Sequence, residues 1–347
     1  MQDYPKFLSA FEKRFSAYLE KQQSQYQRLL PHDSIQKYVS LIPELAQGGK
    51  RIRPYIAWAS SNTEISAVQE QDWSIYTALE VVHLFALVHD DLVDQSPQRR
   101  GVPTAHTSIT TILNDQQAIG DTSFSGRMQA LLLGDLIFWS AHDLIVQHPK
   151  QKELSQCFSA LINNTILGQM LDFDQTNRAS VSSSDIATKT NHKTSYYTFT
   201  YPMRVGCILG GIQTENETLS VIGQHIGQGF QIQDDMLDII GDPNKTKKPI
   251  FSDIASGQHT ILTSYIRNQT KPEHKDVLES AWRQEVHEKH IPLLQNMFIS
   301  SGAITFAKEK ASEHYHKALA EINTSQLPQQ IKQRLVDLVN HLQKRDF

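Results

Sequence analysis

The chain has 347 residues, of which 39% are hydrophobic, and it carries a formal net charge of −4. This length suits one large domain or two average ones, and the apolar fraction is enough for a sizeable core. The slightly negative balance excludes a chain-wide basic field, so we expect no nucleic-acid partner and only local anion-binding surfaces.

The cysteines and the N-terminal residues bear on the cellular compartment. Cys157 and Cys207 belong to no CxxC pair and no cysteine–histidine cluster, which favours a reduced protein over a disulfide or zinc scaffold. The first residues lack the apolar core of a signal peptide, and no uninterrupted apolar run approaches the roughly 20 residues that span a bilayer. We therefore predict a cytoplasmic protein without a transmembrane segment.

Helical periodicity dominates from one end of the chain to the other. The predicted helices cover residues 4–30, 33–48, 72–94, 128–147, 152–174, 186–211, 217–240, 274–299 and 302–322, with a further one after Pro54. The least regular stretches are 104–126, expected to be a mobile loop broken by a short helix, and the loop 241–259. We find no alternating pattern typical of strands. The sequence therefore predicts an all-α fold in which residues 1–347 form a single domain.

The long apolar helix over 72–94 runs directly into three carboxylates, Asp90, Asp91 and Asp94. Asp90 and Asp94 are one helical turn apart, so they share a face and repel each other. Divalent cations would relieve this repulsion, and carboxylates that act together with substrate phosphates suit Mg²⁺. Taken alone, the motif is equally compatible with a solvated helix end.

A second copy of this motif lies 144 residues further along the chain. Asp234, Asp235 and Asp238 repeat the spacing, again after an apolar helix. One such cluster is ordinary, whereas two with the same spacing and the same context are not. Together they predict a metal–diphosphate site on facing helices.

Basic residues surround the two motifs at glycine-containing turns. The cationic segments are Lys50-Arg51-Ile52-Arg53 after two glycines, Arg99-Arg100 before Gly101, Lys193-Thr194, and Lys247-Lys248. Each of them alone would more often be a solvated surface charge. Arginine forks match diphosphate oxygens bidentately, and lysine adds a compact charge. Phosphates bridged by metal and phosphates held directly by cations would form two subsites, which indicates two diphosphate substrates.

The ordered motifs resemble those of the trans-isoprenyl diphosphate synthases, the polyprenyl synthetase family, and in particular its geranylgeranyl diphosphate synthases. The matching segments lie between about Gly48 and Thr260 and read GGKRIRP, HDDLVDQSPQRRG, GD at 134–135, GQMLD, KTSYYTFTYP and GFQIQDDMLDIIGD. The resemblance implies an all-α bundle of roughly a dozen helices around a deep central cavity, the isoprenoid synthase fold, usually as a homodimer. It also implies head-to-tail condensation of isopentenyl diphosphate with dimethylallyl, geranyl or farnesyl diphosphate.

The resemblance also implies roles for individual residues. Direct ligands of Mg²⁺, about three ions per site, would be Asp90, Asp94 and Asp234, supported by Asp91, Asp235 and Asp238. The residues that would contribute to the allylic diphosphate site are Arg99, Asp172, Lys193 and Lys248. Isopentenyl diphosphate would be bound by Lys50, Arg53, His83 and Arg100. A carbocation formed in the reaction would be stabilised by the backbone carbonyl of Lys193, the Thr194 hydroxyl and the Gln231 amide.

Product length is expected to depend on the helix before the first motif. Phe85 lies five positions before Asp90, where an aromatic residue is similar to the geranylgeranyl (C20) type. A farnesyl (C15) or a longer-chain product remains an alternative, and so does a plain core-packing role for Phe85. Each isoprene unit adds about five carbons of burial at about 0.8 kcal/mol each, so one ring can decide the product.

Two positions depart from the family pattern. Lys247 stands where the family usually has glycine, and Gln258 stands where it usually has lysine. Both lie in the loop expected to cover the allylic diphosphate. The change at Gln258 therefore removes a cation from that subsite, and Lys247 is a candidate to compensate for it.

Other classes of protein share parts of these patterns. A class I terpene cyclase would use one Asp-rich motif but a different second motif. An HD-type phosphohydrolase is suggested by His89-Asp90 with His83 and His106, although residues six apart point to different helix faces. A non-catalytic subunit of a heteromeric synthase commonly lacks one or both acidic motifs, whereas both are intact here.

Overall fold

The computed structural model describes residues 1–241, 250–269, 271–284 and 286–344. The fold is all-α, as the sequence predicts, with a two-residue antiparallel ladder of Gln98–Arg99 (β1) on Val102–Pro103 (β2). The chain divides into two compact units. The first-motif unit contains residues 2–58 and 63–155, and the second-motif unit contains Met1, residues 59–62 and the described residues from 156 onward. The prediction of a single domain around a deep cavity stays a prediction.

The α-helices are α1 Tyr4–Leu29, α2 Asp33–Val39, α3 Ile42–Leu45, α4 Ile52–Ala59, α5 Glu70–Val93, α6 Ala105–Asp115, α7 Thr122–Val146, α8 Gln151–Thr176, α9 Ser183–Thr190, α10 Tyr201–Gly210, α11 Asn216–Ile240, α12 Ser252–Ser256, α13 Ile261–Gln269, α14 Pro272–Ala281, α15 Ile291–Ser300, α16 Ala303–Thr324 and α17 Gln329–Gln343. Short 3₁₀ turns cover Ile65–Ala67 and Glu288–His290, and a π-helix covers Asn191–Thr200.

The first-motif unit is built on an aromatic core between α1, α4 and α5. Apolar residues four apart, Phe7, Phe11 and Phe15, form one stripe of α1 and are at most 1% exposed. The ring of Phe7 stacks on Trp58 of α4 and Trp73 of α5 at centroid distances of 5.5 Å. This packing fixes α5, whose C-terminal end carries the first acidic motif.

In the same unit, α7 runs against α5, and a glycine allows their close approach. A Cβ atom at Gly134 would collide with the imidazole of His89, whose Nε2 lies 3.1 Å from the Leu131 carbonyl. Among the described residues, α7 is also the one helix long and apolar enough to cross a membrane by composition, and 39% of its most apolar window is buried.

The second-motif unit centres on α11, which packs against the π-helix and α16. Two glycines of α11 allow this contact, because a Cβ at Gly223 would collide with Thr200 and one at Gly227 with Ser195. On the α16 side, Tyr315 donates a hydrogen bond of 2.6 Å to Gln233 Oε1. The second acidic motif, at the C-terminal end of α11, is thereby placed beside the π-helix.

Some element boundaries differ from those predicted. Residues 104–126 are more regular than expected, because α6 begins at Ala105 after its N-cap Thr104, and the Asp121 carboxylate caps α7 through the Phe124 N–H at 2.8 Å. The single helix predicted over 274–299 is wrong, since α14 ends at Ala281 and α15 begins only at Ile291, followed by Pro292. The helix predicted over 33–48 is also interrupted, with α3 starting anew just before Pro43.

Candidate active site

The first acidic motif occupies the last turn of α5. Asp91 is 4% exposed, the Asp90 side chain is 27% exposed, and Asp94 is the exposed C-cap. Burial raises the pKa of Asp91, while the neighbouring Arg99 opposes the rise. The helix thus presents one carboxylate that is buried and two that remain accessible.

Arg99 lies directly over this motif. Its Nε donates to Asp91 Oδ1 at 2.7 Å and its Nη2 to Asp90 Oδ2 at 3.2 Å. These carboxylates hold the pKa of Arg99 above its ordinary value against the effect of burial. The predicted metal ligand and the predicted phosphate-binding arginine are therefore brought together, and the guanidinium balances the acidic motif.

A second group of cations surrounds His83, about two turns before Asp90 on α5. Burial lowers the pKa of His83 well below its usual value, and the charges of Arg53 and Arg100 lower it further. Arg100 adopts φ +55 and donates to the Gln47 carbonyl at 2.9 Å, while burial and the neighbouring arginines lower its pKa. A neutral imidazole among cations is suited to an anionic ligand.

Lys50, the remaining member predicted for this group, has an exposed side chain and a fixed backbone. Tyr4 of α1 donates its hydroxyl proton to the Lys50 carbonyl at 2.5 Å. The structure therefore brings together Arg53, His83 and Arg100 and places Lys50 at the edge of the turn that leads to them. A small cleft is lined by Asp91, Arg99 and Arg100.

Arg51 is a structural residue that the sequence reasoning listed only as one cation among three. Its guanidinium is 5% exposed and donates to Glu80 Oε1 at 2.8 Å, to Glu12 Oε1 at 2.8 Å and to the Ala46 carbonyl at 2.7 Å. It also lies over the Phe15 ring at 4.9 Å. Its φ of +46 places it in the left-handed region, so the turn holding Lys50 is fixed at a conformational cost.

Phe85, the predicted determinant of product length, is half-buried on α5 and contacts α7. Its ring centroid lies 4.9 Å from that of Phe138 and 4.7 Å from that of His89. Phe138 was not singled out from the sequence, because it lies 53 residues further along the chain. The structure therefore provides a pair of aromatic rings at this place.

The second acidic motif contains an additional carboxylate. Asp235 is 7% exposed, and burial together with the charges of Asp234 and Asp238 raises its pKa to about 7. The pKa of Asp253, at the start of α12, is raised well above its usual value by burial and by the same neighbours. The sequence reasoning missed Asp253, although it follows the motif by only fifteen residues.

Asp238 caps the N-terminal end of α12. It accepts hydrogen bonds from the Ser252 N–H at 3.0 Å, the Ser252 hydroxyl at 2.5 Å and the Asp253 N–H at 3.1 Å. This cap draws the start of α12 to the end of α11. It explains how Asp253 comes beside the motif.

The predicted catalytic residues lie on or against the π-helix. The Thr194 hydroxyl donates to Gln231 Oε1 at 2.8 Å, and Gln231 Nε2 donates to Asp235 Oδ1 at 2.9 Å. The π-helix itself was predicted as ordinary α-helix, and such segments often occur at functional sites. The hydrogen-bonded chain links Thr194 to the second motif, which the sequence alone did not indicate.

Lys193, beside Thr194, belongs to a buried charge cluster around Asp172 of α8. Asp172 is 3% exposed and its Oδ2 lies 2.5 Å from Lys193 Nζ, while its Oδ1 lies 3.0 Å from Lys189 Nζ. Burial alone would raise the pKa of Asp172, but the two ammonium groups outweigh burial and hold it below its usual value. Gln258 Nε2 completes the cluster at 3.3 Å from Oδ2.

The donor set at both motifs fits magnesium. Carboxylate oxygens are its usual protein ligands, and the mutual repulsion that raises the pKa values of Asp235 and Asp253 is what a bound cation relieves. Within the described ranges, no three acidic, histidine or cysteine side chains converge closely enough to enclose an ion alone. That arrangement agrees with a metal held by one or two carboxylates plus substrate phosphates.

Two predictions about the site stay predictions. Lys247 and Lys248 lie outside the described residues. The first and second motifs belong to different units, so the prediction that they face one another stays a prediction.

Comparison with known proteins gives consistent matches. A family model described as polyprenyl synthetase matches residues 36–297. The chain is 28% identical over 308 residues to the geranylgeranyl diphosphate synthase of Sulfolobus acidocaldarius, covering 84% of this chain and 88% of that protein. It is 27% identical over 277 residues to the geranylfarnesyl diphosphate synthase of Aeropyrum pernix, covering 78% and 82% respectively. These two relatives are named for products of different length, so similarity alone does not fix the product.

A solved structure with the same fold carries both expected kinds of ligand. The geranylgeranyl pyrophosphate synthase of Corynebacterium glutamicum, complexed with isoprenyl diphosphate and magnesium, superposes with a TM-score of 0.83 at 25% identity. The superposition covers 96% of this chain and 99% of the other.

Proposed function

Because this chain belongs to the polyprenyl synthetase family, we propose that it condenses isopentenyl diphosphate head-to-tail with allylic diphosphates to give an all-trans short-chain prenyl diphosphate, geranylgeranyl diphosphate in particular. The chain is a prenyltransferase of that family. The observation that carries this proposal is the pair of acidic motifs, each accompanied by partly or fully buried cations within its own unit. A non-catalytic subunit of a heteromeric synthase would need neither the acidic motifs nor the cations beside them.

Magnesium is the cofactor that this proposal requires. Asp90, Asp94 and Asp234 would hold it, about three ions per site. Asp91, Asp235 and Asp253 would shape the field around them. When bound, the metal supplies positive charge that neutralises the departing diphosphate.

The basic residues form two sets, one for each diphosphate substrate. Isopentenyl diphosphate would be bound by Lys50, Arg53 and Arg100, with the neutral imidazole of His83 donating a hydrogen bond. The allylic diphosphate would be bound by Arg99 and Lys193, together with Lys248. Arg99 already neutralises Asp90 and Asp91. For Arg99 to bind a phosphate, another cation must therefore take its place beside these two carboxylates.

Thr194 and Gln231 are placed to stabilise positive charge without attacking it. The Thr194 proton is donated to Gln231, so the hydroxyl oxygen keeps its lone pairs for the substrate. Asp235 in turn orients the Gln231 amide. The Lys193 carbonyl, in the π-helix beside Thr194, would add a further dipole. The released diphosphate would take the proton, and no protein base is required.

Phe85 would set the product length by closing the pocket that receives the growing chain. Phe138 supports this role, since its ring packs on Phe85 at 4.9 Å and prevents it from swinging toward α7. Removal of one ring opens space for about one isoprene unit, whose burial at about 0.8 kcal/mol per carbon offsets the loss of packing.

The experiment is a product assay with the purified chain. The protein is incubated with Mg²⁺, isopentenyl diphosphate and dimethylallyl, geranyl or farnesyl diphosphate, and the dephosphorylated products are separated by chromatography. We expect a geranylgeranyl product from the wild type and longer products from Phe85→Ala. The matched control is Phe124→Ala, which removes a ring that is 54% exposed on α7. A farnesyl or long-chain wild-type product would refute the assigned length and keep the reaction.

We also infer that the chain forms homodimers. On α8, the apolar side chains of Ile166, Leu167, Met170 and Phe173 are between 44% and 62% exposed at helical spacing. A continuous apolar strip of this kind indicates a protein contact. Light scattering should give twice the chain mass for the wild type and a lower mass for Met170→Glu. A wild-type monomer would contradict the inference.

A cytoplasmic location fits the thiols of the chain. Cys157 and Cys207 are free and buried, and burial raises the pKa of each thiol to about 12. Neither is suited to forming a disulfide. Fractionation of cells that express the chain should recover it with cytoplasmic markers, and recovery with membranes would contradict this location.

A further inference from the structure

Lys189 occupies a buried position that the sequence reasoning did not single out. It lies in the last turn of α9, four residues before Lys193, and is 9% exposed. Its ammonium is surrounded by acceptors, with Asp172 Oδ1 and the His259 carbonyl at 3.0 Å and Gln258 Oε1 at 3.4 Å. A lysine is rarely buried to this degree unless it is paired.

The charges of this cluster do not cancel. Asp172 contributes one negative charge, whereas Lys189 and Lys193 contribute two positive ones. Lys193, at 2.5 Å, would be enough to neutralise the carboxylate. A buried ammonium is costly to the fold, so pairing with Asp172 alone does not account for two lysines at this carboxylate.

The contact with Gln258 suggests where the surplus charge belongs. Position 258 is the place where the family pattern leads one to expect a lysine and where this chain has a neutral amide. Lys189 reaches the same carboxylate from the neighbouring helix, and the Gln258 amide bridges the two at 3.4 and 3.3 Å. A lysine at 258 in place of Lys189 would leave the net charge of the cluster unchanged.

We propose that Lys189 is a positioning residue that neutralises Asp172, so that the positive charge of Lys193 is left for the allylic diphosphate. Lys189 thus replaces, from α9, the cation that Gln258 lacks. This inference rests on the proposed function for the identity of the anion. It concerns the charge of the cluster and not direct contact between Lys189 and the substrate.

A further observation supports an electrostatic role. Lys189 interacts electrostatically with Asp235 and Asp253 as well as with Asp172. Its field therefore extends from Asp172 to the second acidic motif. If the side chain at position 189 served only to fill space, methionine would serve as well as lysine.

The test is a charge relocation. Lys189→Met, Gln258→Lys and the double variant are compared with the wild type, with Lys317→Met, a partly exposed lysine on α16, as the control. Calorimetry measures the binding of inorganic diphosphate with Mg²⁺, and kinetics measure KM for each substrate. We expect Lys189→Met to weaken diphosphate binding and raise the allylic KM about tenfold, the scale of one charge-assisted contact. KM for isopentenyl diphosphate and the unfolding temperature should change little.

The double variant decides between a charge and a packing role. We expect it to recover diphosphate affinity to within about threefold of the wild type. Unchanged affinity in Lys189→Met, or a loss that Gln258→Lys fails to restore, would overturn the inference. Because diphosphate binding requires no turnover, an inactive wild type would count against the proposed function while the charge relocation still gives its own answer.

Discussion

Replacing Arg51 by methionine should destabilise the protein far more than an ordinary salt-bridge deletion. Arg51 and Glu80 have side chains that are only 5% and 4% exposed, and they are joined at 2.8 Å. Removing the guanidinium leaves the Glu80 carboxylate buried without its cation. It also removes the donor to the Ala46 carbonyl at 2.7 Å. The Glu12 carboxylate, with a side chain that is 39% exposed, can be solvated instead.

The magnitude follows from these exposures. Breaking a buried ion pair by removing one partner costs about 3–5 kcal/mol. Solvation of Glu12 keeps the expected cost of Arg51→Met at about 4 kcal/mol, roughly a quarter to four fifths of the stability of a typical domain. The left-handed φ of +46 at this position costs methionine as much as arginine, so backbone strain cancels in the comparison.

The assay is urea unfolding followed by far-ultraviolet circular dichroism at neutral pH. The matched control is Arg14→Met, because Arg14 bonds Glu70 at 2.5 Å but the Glu70 side chain is 75% exposed. Such a surface pair should contribute less than about 1 kcal/mol. The double variant Arg51→Met with Glu80→Met removes both buried charges and should be more stable than Arg51→Met alone.

Two results would refute this reasoning. One is a cost for Arg51→Met that is no larger than that of Arg14→Met. The other is a double variant with a cost equal to the sum of the two single changes, since coupled charges should not add.

Three other perturbations test separate parts of the structure. The pKa of His314 is lowered to about 4 by burial and by His225, so its stabilising contribution is complete above about pH 6.5. Because the ring is partly exposed and solvent screens its charge, about 1–2 kcal/mol of unfolding free energy should be lost as the pH falls from 6.5 to 4, and His314→Gln should flatten that profile in urea titrations. Gly168→Ala would place a Cβ 2.5 Å from the Lys193 backbone nitrogen, so activity should fall at least tenfold in kinetic assays, with a lower unfolding temperature. Asp235→Asn removes a buried carboxyl with a raised pKa, so calorimetry at pH 8 should show an apo protein at least as stable as wild type but a smaller gain from Mg²⁺.

The acidic motifs and their helices were predictable because both depend on local spacing. Asp90 and Asp94 share a face at any α-helical end, and the apolar run before them predicts burial of α5. The sequence places Arg99 shortly after the first motif and predicts it as a phosphate-binding residue. Its hydrogen bonds to Asp90 and Asp91 were not predicted and are seen only in the structure.

Other parts of the site depend on contacts between distant segments. The π-helix over Asn191–Thr200 packs closely against α11 at Gly223 and Gly227, where a Cβ atom would collide with Thr200 and Ser195. Asp253 joins the second motif only because Asp238 caps α12. The aromatic pair of Phe85 with Phe138 likewise needs α5 and α7 to be packed together. No local period in the sequence carries this information.

The most direct test is the release of diphosphate by the purified chain with isopentenyl and geranyl diphosphate as Mg²⁺ is varied. The wild type should turn over only with both substrates and the metal. The paired changes Asp90→Asn with Asp94→Asn and Asp234→Asn with Asp238→Asn should each reduce turnover at least a hundredfold, about 2.7 kcal/mol. Asp337→Asn, on α17, should leave it unchanged. Full activity in either paired variant, or turnover without metal, would contradict a magnesium-dependent prenyl transfer that needs both motifs.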